Sequence, residues 1–163
     1  MRSSIRSALL LIVLALVAAC AAEINPAPAL TPEAEAELSA RGLALLCDQH
    51  CVGEVVYMSD HEYETVDPPV PGDPLSETQT TAIRRQFTNV EFLEEDEGHA
   101  IHAEGGFVFV VGPVEQDSGQ VQVEVSAVGP DSIFTEVFPF GWDGDDWVPS
   151  NSGESAVTVS TLD

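Results

Sequence analysis

The chain has 163 residues, 44% of them hydrophobic, enough for one domain with a real core. It carries 28 Asp and Glu against five Arg and no Lys, a formal net charge of −23. Such a field repels nucleic acid and anionic lipid headgroups, which are bound through clustered Lys and Arg, so nucleic-acid binding is excluded as a function class.

Arg2 and Arg6 precede an apolar run over residues 8–19 that ends in Val17-Ala18-Ala19-Cys20. A basic start, a short apolar stretch and small residues at its end fit a secretory signal. Twelve apolar residues fall short of the roughly 20 that a membrane-spanning helix needs. Residues 17–20 resemble the lipobox of bacterial lipoprotein precursors, where an aliphatic and two small residues precede a cysteine. The resemblance implies that Cys20 receives a diacylglycerol on its sulfur, that the signal is cut before it, and that the membrane is a partner through this anchor. Each buried acyl methylene contributes about 0.8 kcal/mol, and two or more chains hold stably where one would be marginal. The competing reading is ordinary cleavage after Ala21, which yields a secreted protein without an anchor.

Without residues 1–19, 144 residues remain, with Arg41, Arg84 and Arg85 against all 28 acids, a balance of −25. That acidity fits a cationic partner, bound divalent cations, a high-salt surface, or acids placed for solubility in a lysine-poor chain.

Residues 20–31 have the Pro and Ala content of a short tether, and residues 32–163 form the single folded domain. Thr31 offers an N-cap, Pro32 suits the first helical position, and Glu33, Glu35 and Glu37 put charge where the helix dipole favours it. A helix is predicted over residues 32–48, with Ala34, Leu38, Leu45 and Leu46 on its apolar face and Gly42 as a weak spot. Residues 53–59 read as a strand. Residues 66–74, with four prolines and a glycine, read as an extended surface loop that is neither helix nor central strand. Ser76 and Gln79 form a capping box that opens a second helix to about residue 88, with Ile83 and Phe87 on one face.

Residues 90–93 read as a short strand, followed by an acidic turn over residues 94–98. The continuous apolar run at 107–111 fits a strand covered on both faces. Residues 120–125 alternate, with Val121, Val123 and Val125 on one side and Gln120, Gln122 and Glu124 on the other. Gly129 and Pro130 turn the chain into a strand over 133–142 that carries Phe134, Phe138, Phe140 and Trp142 on one face. Asp143-Gly144 signals a hairpin that brings Trp142 and Trp147 together. A last strand covers residues 156–161.

Two helices followed by a meander of strands give an α+β class, with the helices packed on one face of an antiparallel sheet of four to six strands. That element order resembles cystatin-like and nuclear-transport-factor-like cones. The WDGDDWVP end is similar to small secreted actinobacterial proteins, a likeness that brings no activity with it.

With Cys20 lipidated, Cys47 and Cys51 remain as an even pair in an exported chain, which reads first as a disulfide. Closing so small a loop stabilises by about 2 kcal/mol, so the bridge pins a helix end more than it holds the fold. The alternative is a metal site in which Cys47, His50 and Cys51 cluster at one helix end with His61, His99 or His102 as a fourth ligand, although the spacing matches no standard zinc motif. Asp143, Asp145 and Asp146 suggest calcium, but an EF-hand needs a Gly and a Glu at places this stretch does not supply them. His99 and His102, after the acids at 94–97, are the nearest approach to an acid/base pair. Nucleophile elbow, P-loop and dinucleotide motifs are missing from the sequence, and no cofactor is implied. The aromatic row Phe134, Phe138, Phe140 and Trp142 is the first place to expect a ligand pocket. The resulting expectation is a lipid-anchored, non-enzymatic domain outside the cell membrane that binds a protein or small ligand, against a metal-binding lipoprotein or an envelope enzyme.

Overall fold

Thr31 and Pro32 start a helix as their sequence demands. The Thr31 hydroxyl accepts a hydrogen bond from the Ala34 amide at 3.2 Å, and helix α1 runs Pro32–His50, one half-turn beyond the predicted end. The computed structural model describes residues 26–51, 55–66, 69–94, 106–117, 119–150 and 156–161. After α1 come strand β1 (Val56–Ser59), a ribbon of β2 (His61–Val66) and β3 (Pro69–Pro74), and helix α2 (Glu77–Gln86). Strands β4 (Val90–Leu93), β5 (Val108–Asp117), β6 (Gln120–Val128), β7 (Ser132–Trp142), β8 (Trp147–Pro149) and β9 (Ala156–Thr161) complete the order.

The class is α+β, with two helices, a mixed sheet of seven strands and the separate two-stranded ribbon. The sheet order is β4-β1-β5-β6-β7-β8, and β9 pairs with β7 further along the edge that β8 shares. This corrects the expected antiparallel sheet of four to six strands, because β1 lies parallel to both β4 and β5. Antiparallel pairing holds from β5 onward, so the meander on which the comparison with cystatin-like and nuclear-transport-factor-like cones rested spans β5 to β9 alone. Nor do both helices come first, since β1, β2 and β3 lie between them.

The proline-rich stretch is strand rather than loop for part of its length. Pro69, Pro71 and Pro74 fall in β3, which pairs only with β2, and the pairing shifts register between His61 and Tyr63 and again between Tyr63 and Thr65. Proline has no amide hydrogen to donate, which confines it to such edge positions and breaks a regular ladder. The sequence rule excluded a central strand correctly and missed an edge one.

The core lies between α1 and the inner face of β5, β6 and β7. Leu38, Leu43 and Leu46 from α1 pack with Val121, Val123, Val125, Phe138 and Phe140 in one cluster, joined by Met58 from β1 and Ile83 from α2. Val121, Val123 and Val125 are fully buried, as the alternation required. The apolar face of α1 is turned from the predicted one: Ala36, Ala40, Gly42 and Leu43 are buried, while Ala34 and Leu45 are half-buried. Gly42 is the reason α1 sits so close. A methyl added there would stand 3.0 Å from Val123 Cγ1. The apparent weak spot of the helix is where it meets the sheet.

Strand β5 is covered on both faces over its first half. Phe109 and Val111 join the main cluster, and Val108 and Val110, on the opposite side by alternation, are also buried, with β2 as a neighbouring element. The capping box of α2 is present: the Ser76 hydroxyl accepts from the Gln79 amide, and the Gln79 side chain accepts from the Ser76 amide at 2.9 Å.

Candidate functional site

The last turn of α1 brings together the groups with the most chemistry among the described residues. Cys47 and Cys51 are paired as a disulfide with their Cα atoms 4.7 Å apart. Residues four apart in a regular α-helix are about 6 Å apart along the axis, so the final turn is tightened to bring the sulfurs together. Cys51 then leaves the helix in extended conformation while its amide still bonds the Cys47 carbonyl at 2.8 Å.

Gln49 and His50, enclosed by this bridge, reach the sheet. Gln49 Nε2 donates to Glu136 Oε2 at 3.2 Å, and Glu136 is only 4% exposed. The His50 ring stacks on Phe134 at 4.8 Å between centroids, and Phe107 closes the group edge-on to Phe134 at 5.7 Å. The aromatic spacing of β7 contained the signal for the buried acid: Glu136 stands at the same parity as Phe134 and Phe138, hence on the face turned to α1. A carboxylate there must find a donor or raise the cost of burial, and the Gln49 amide supplies one.

The residues proposed as metal ligands are used otherwise. Both thiols of Cys47 and Cys51 are consumed by the bridge, and His50 is stacked against Phe134. Among the described residues, no group of three or more His, Cys, Asp or Glu side chains stands close enough to hold a metal ion. His61 is paired with its neighbour, Nδ1 lying 2.6 Å from Asp60 Oδ1, and the His61 amide donates to Ser59 Oγ at 3.1 Å. His99, His102 and the acids at 95–97 lie outside the described residues, as does Cys20.

The row Phe134, Phe138, Phe140 and Trp142 divides by depth. Phe138 and Phe140 are closed in the core under α1, whereas Phe134 and Trp142, at the two ends, are half-buried. Trp142 meets Trp147 across the hairpin at 5.4 Å, edge to face, as Asp143-Gly144 predicted. In that turn, Asp143 Oδ1 accepts from the amides of Asp145 and Asp146 at 2.9 Å each, and Gly144 supplies the φ of +114° that a side chain would resist. The same backbone bonds hold the Asp143 carboxyl below its ordinary range.

Arg41 fixes this turn to α1. Its Nη1 donates to the Trp147 carbonyl at 2.8 Å and to Asp146 Oδ2 at 3.2 Å, while Nε lies 3.6 Å from Glu37 Oε1. Arg41 is one of three arginines beyond residue 19, and no local pattern announces a partner 105 residues away. The three aspartates suspected of binding calcium are thus turn-forming and Arg-holding groups.

On the opposite face of the sheet, Pro113, Glu115, Gln122, Glu124 and Val137 line a shallow recess. Burial pushes the Glu124 carboxyl up, and the neighbouring Glu115 charge adds to the effect. No helix among the described residues is long and apolar enough to cross a membrane. Comparison with known proteins assigns no relative: no family model matches the chain, and neither a curated protein nor a solved structure matches it.

Proposed function

We propose that this chain is a lipid-anchored domain on the outer face of a bacterial membrane, tethered through Cys20 and residues 21–31, and that it works by binding a protein or small ligand without turning it over. The observation that supports the reading best is the Cys47–Cys51 bridge. Disulfides persist in oxidising compartments and are rare in the cytosol, so the bridge and the export signal of residues 1–20 point to the same place. The bridge also argues against the metal-binding alternative, which needs both sulfurs as thiolates. Within the binding reading, the half-buried rings of Phe107 and Phe134, with His50 stacked over Phe134 at the end of α1, are the favoured contact surface, since aromatic side chains offer large area at low entropic cost.

Metabolic labelling with a palmitate analogue tests the anchor. The wild-type chain takes up label and fractionates with membranes, and Cys20→Ala does neither. Label retained by Cys20→Ala refutes the anchor, and turnover of a substrate in an unbiased hydrolase screen refutes the non-enzymatic reading.

A further inference from the structure

We propose that the Cys47–Cys51 bridge is a redox clasp that controls access to the aromatic surface at the end of α1. Two contacts from this turn to β7, Gln49 with Glu136 and His50 with Phe134, come from inside the five-residue loop the bridge closes. Gln49 covers the buried Glu136 carboxylate, and His50 covers one face of Phe134. The bridge holds both residues in a tightened turn, the last before the helix ends, where helical carbonyls run out of amide partners and the turn frays first.

Upstream of the bridge, α1 is held by means that need no sulfur. Leu38, Leu43 and Leu46 are fully buried, and Arg41 is bonded to the Trp147 carbonyl. Opening the bridge therefore frees one turn and leaves the rest of α1 seated. Both cysteines are half-buried, and either sulfur offers a route of attack that balances in the same way. On one route, a thiolate from an external dithiol attacks Cys47 Sγ, the S–S bond breaks, and its electron pair leaves on Cys51 Sγ, which takes a proton. The second thiol of the reductant then displaces the mixed disulfide, and Cys47 takes the other proton. The dithiol is oxidised to a disulfide by the two electrons the bridge has gained. The freed turn uncovers Glu136, Phe107 and Phe134 together.

The inference rests on the aromatic group as the binding surface, but not on the lipid anchor, and its test needs no ligand. Amide exchange of the full chain is followed by mass spectrometry before and after treatment with dithiothreitol, with a Cys47→Ser/Cys51→Ser variant in parallel. Exchange at residues 48–51 is expected to rise at least tenfold on reduction, with residues 36–46 and 121–127 unchanged, and the variant is expected to show the open rate with or without dithiothreitol. The ring-current displacement of the His50 proton signals should collapse at the same time. Unchanged exchange at 48–51 overturns the clasp, as does a rise in β6 exchange of the same size, which would make the bridge a support of the whole fold. Failure of palmitate labelling leaves these readouts untouched, so the two readings fail separately.

Discussion

Replacing Gly42 by alanine tests how α1 is seated on the sheet. In an isolated helix the change is favourable by about 0.8–1.0 kcal/mol, because glycine loses the most backbone freedom on folding. Here the added methyl meets Val123 Cγ1 at 3.0 Å and Val125 Cγ1 at 3.5 Å. Carbon atoms are at ease about 3.5–4.0 Å apart. Val123 has little room to yield: it is fully buried, its χ1 is stiff, and β6 is held between β5 and β7 along its length. Overpacking of this kind costs about 1–3 kcal/mol, so the net effect is a loss of about 1 kcal/mol. Val123→Ala alone, which deletes two buried methyl groups, costs about 2 kcal/mol. In the double variant the new methyl enters the space vacated by the old ones, and the combined loss falls short of the sum by about 1 kcal/mol. Urea unfolding of the four proteins at constant m-value measures all three quantities. If Gly42→Ala raised stability by the full helix-propensity gain and added to Val123→Ala without coupling, the described contact between α1 and β6 would be wrong.

Arg41→Ala is expected to cost about 1–2 kcal/mol, because it removes a charge-assisted bond to the Trp147 carbonyl as well as the Asp146 pair. Most of that loss should persist in 1 M salt, which screens ion pairs but not a bond to a carbonyl, and a loss abolished by salt would contradict the assignment. Ser39→Ala should stabilise by about 1 kcal/mol, since the Ser39 hydroxyl is buried without a hydrogen-bond partner among the described residues and alanine is the better helix former. A lower unfolding midpoint for Ser39→Ala would show that the hydroxyl is satisfied after all. Glu124 has a folded-state pKa raised above 4.5, so the native chain binds its proton more tightly than the unfolded one. Its contribution therefore lowers stability above the raised value and is relieved as pH falls from there to below 4.5. Glu124→Gln should raise the unfolding midpoint at pH 7 and flatten the pH slope in that window, and an unchanged slope would exclude Glu124 as its source.

Local rules read the helix starts and the later strands well, because their signals are complete within a few residues. Thr31 and Ser76 each carry their own cap, and Val121, Val123 and Val125 need only a covered face. The hairpin at Asp143-Gly144 is equally local, and it placed Trp142 beside Trp147. What escaped depends on distant partners. The parallel pairing of β1 with β4 joins strands separated by the ribbon and α2, and nothing in a four-residue strand announces its neighbour's direction. Gly42 reads as a defect until Val123 is set against it. Glu136 is conspicuous at an inward position of β7, yet its partner Gln49 lies 87 residues earlier. The Cys47–Cys51 pairing was legible from the cysteine count and the export expected of residues 1–20, while the service of the enclosed Gln49 and His50 to β7 was not.

The proposed function requires a chain that is exported, anchored and oxidised. Intact mass and N-terminal peptide analysis of the membrane-bound protein, alkylated without reduction, reads all three at once. The predicted result is a chain beginning at Cys20 and carrying diacylglycerol, with Cys47 and Cys51 joined in one unalkylated peptide pair. A chain beginning beyond Cys20 without lipid, or one alkylated at both Cys47 and Cys51, contradicts it.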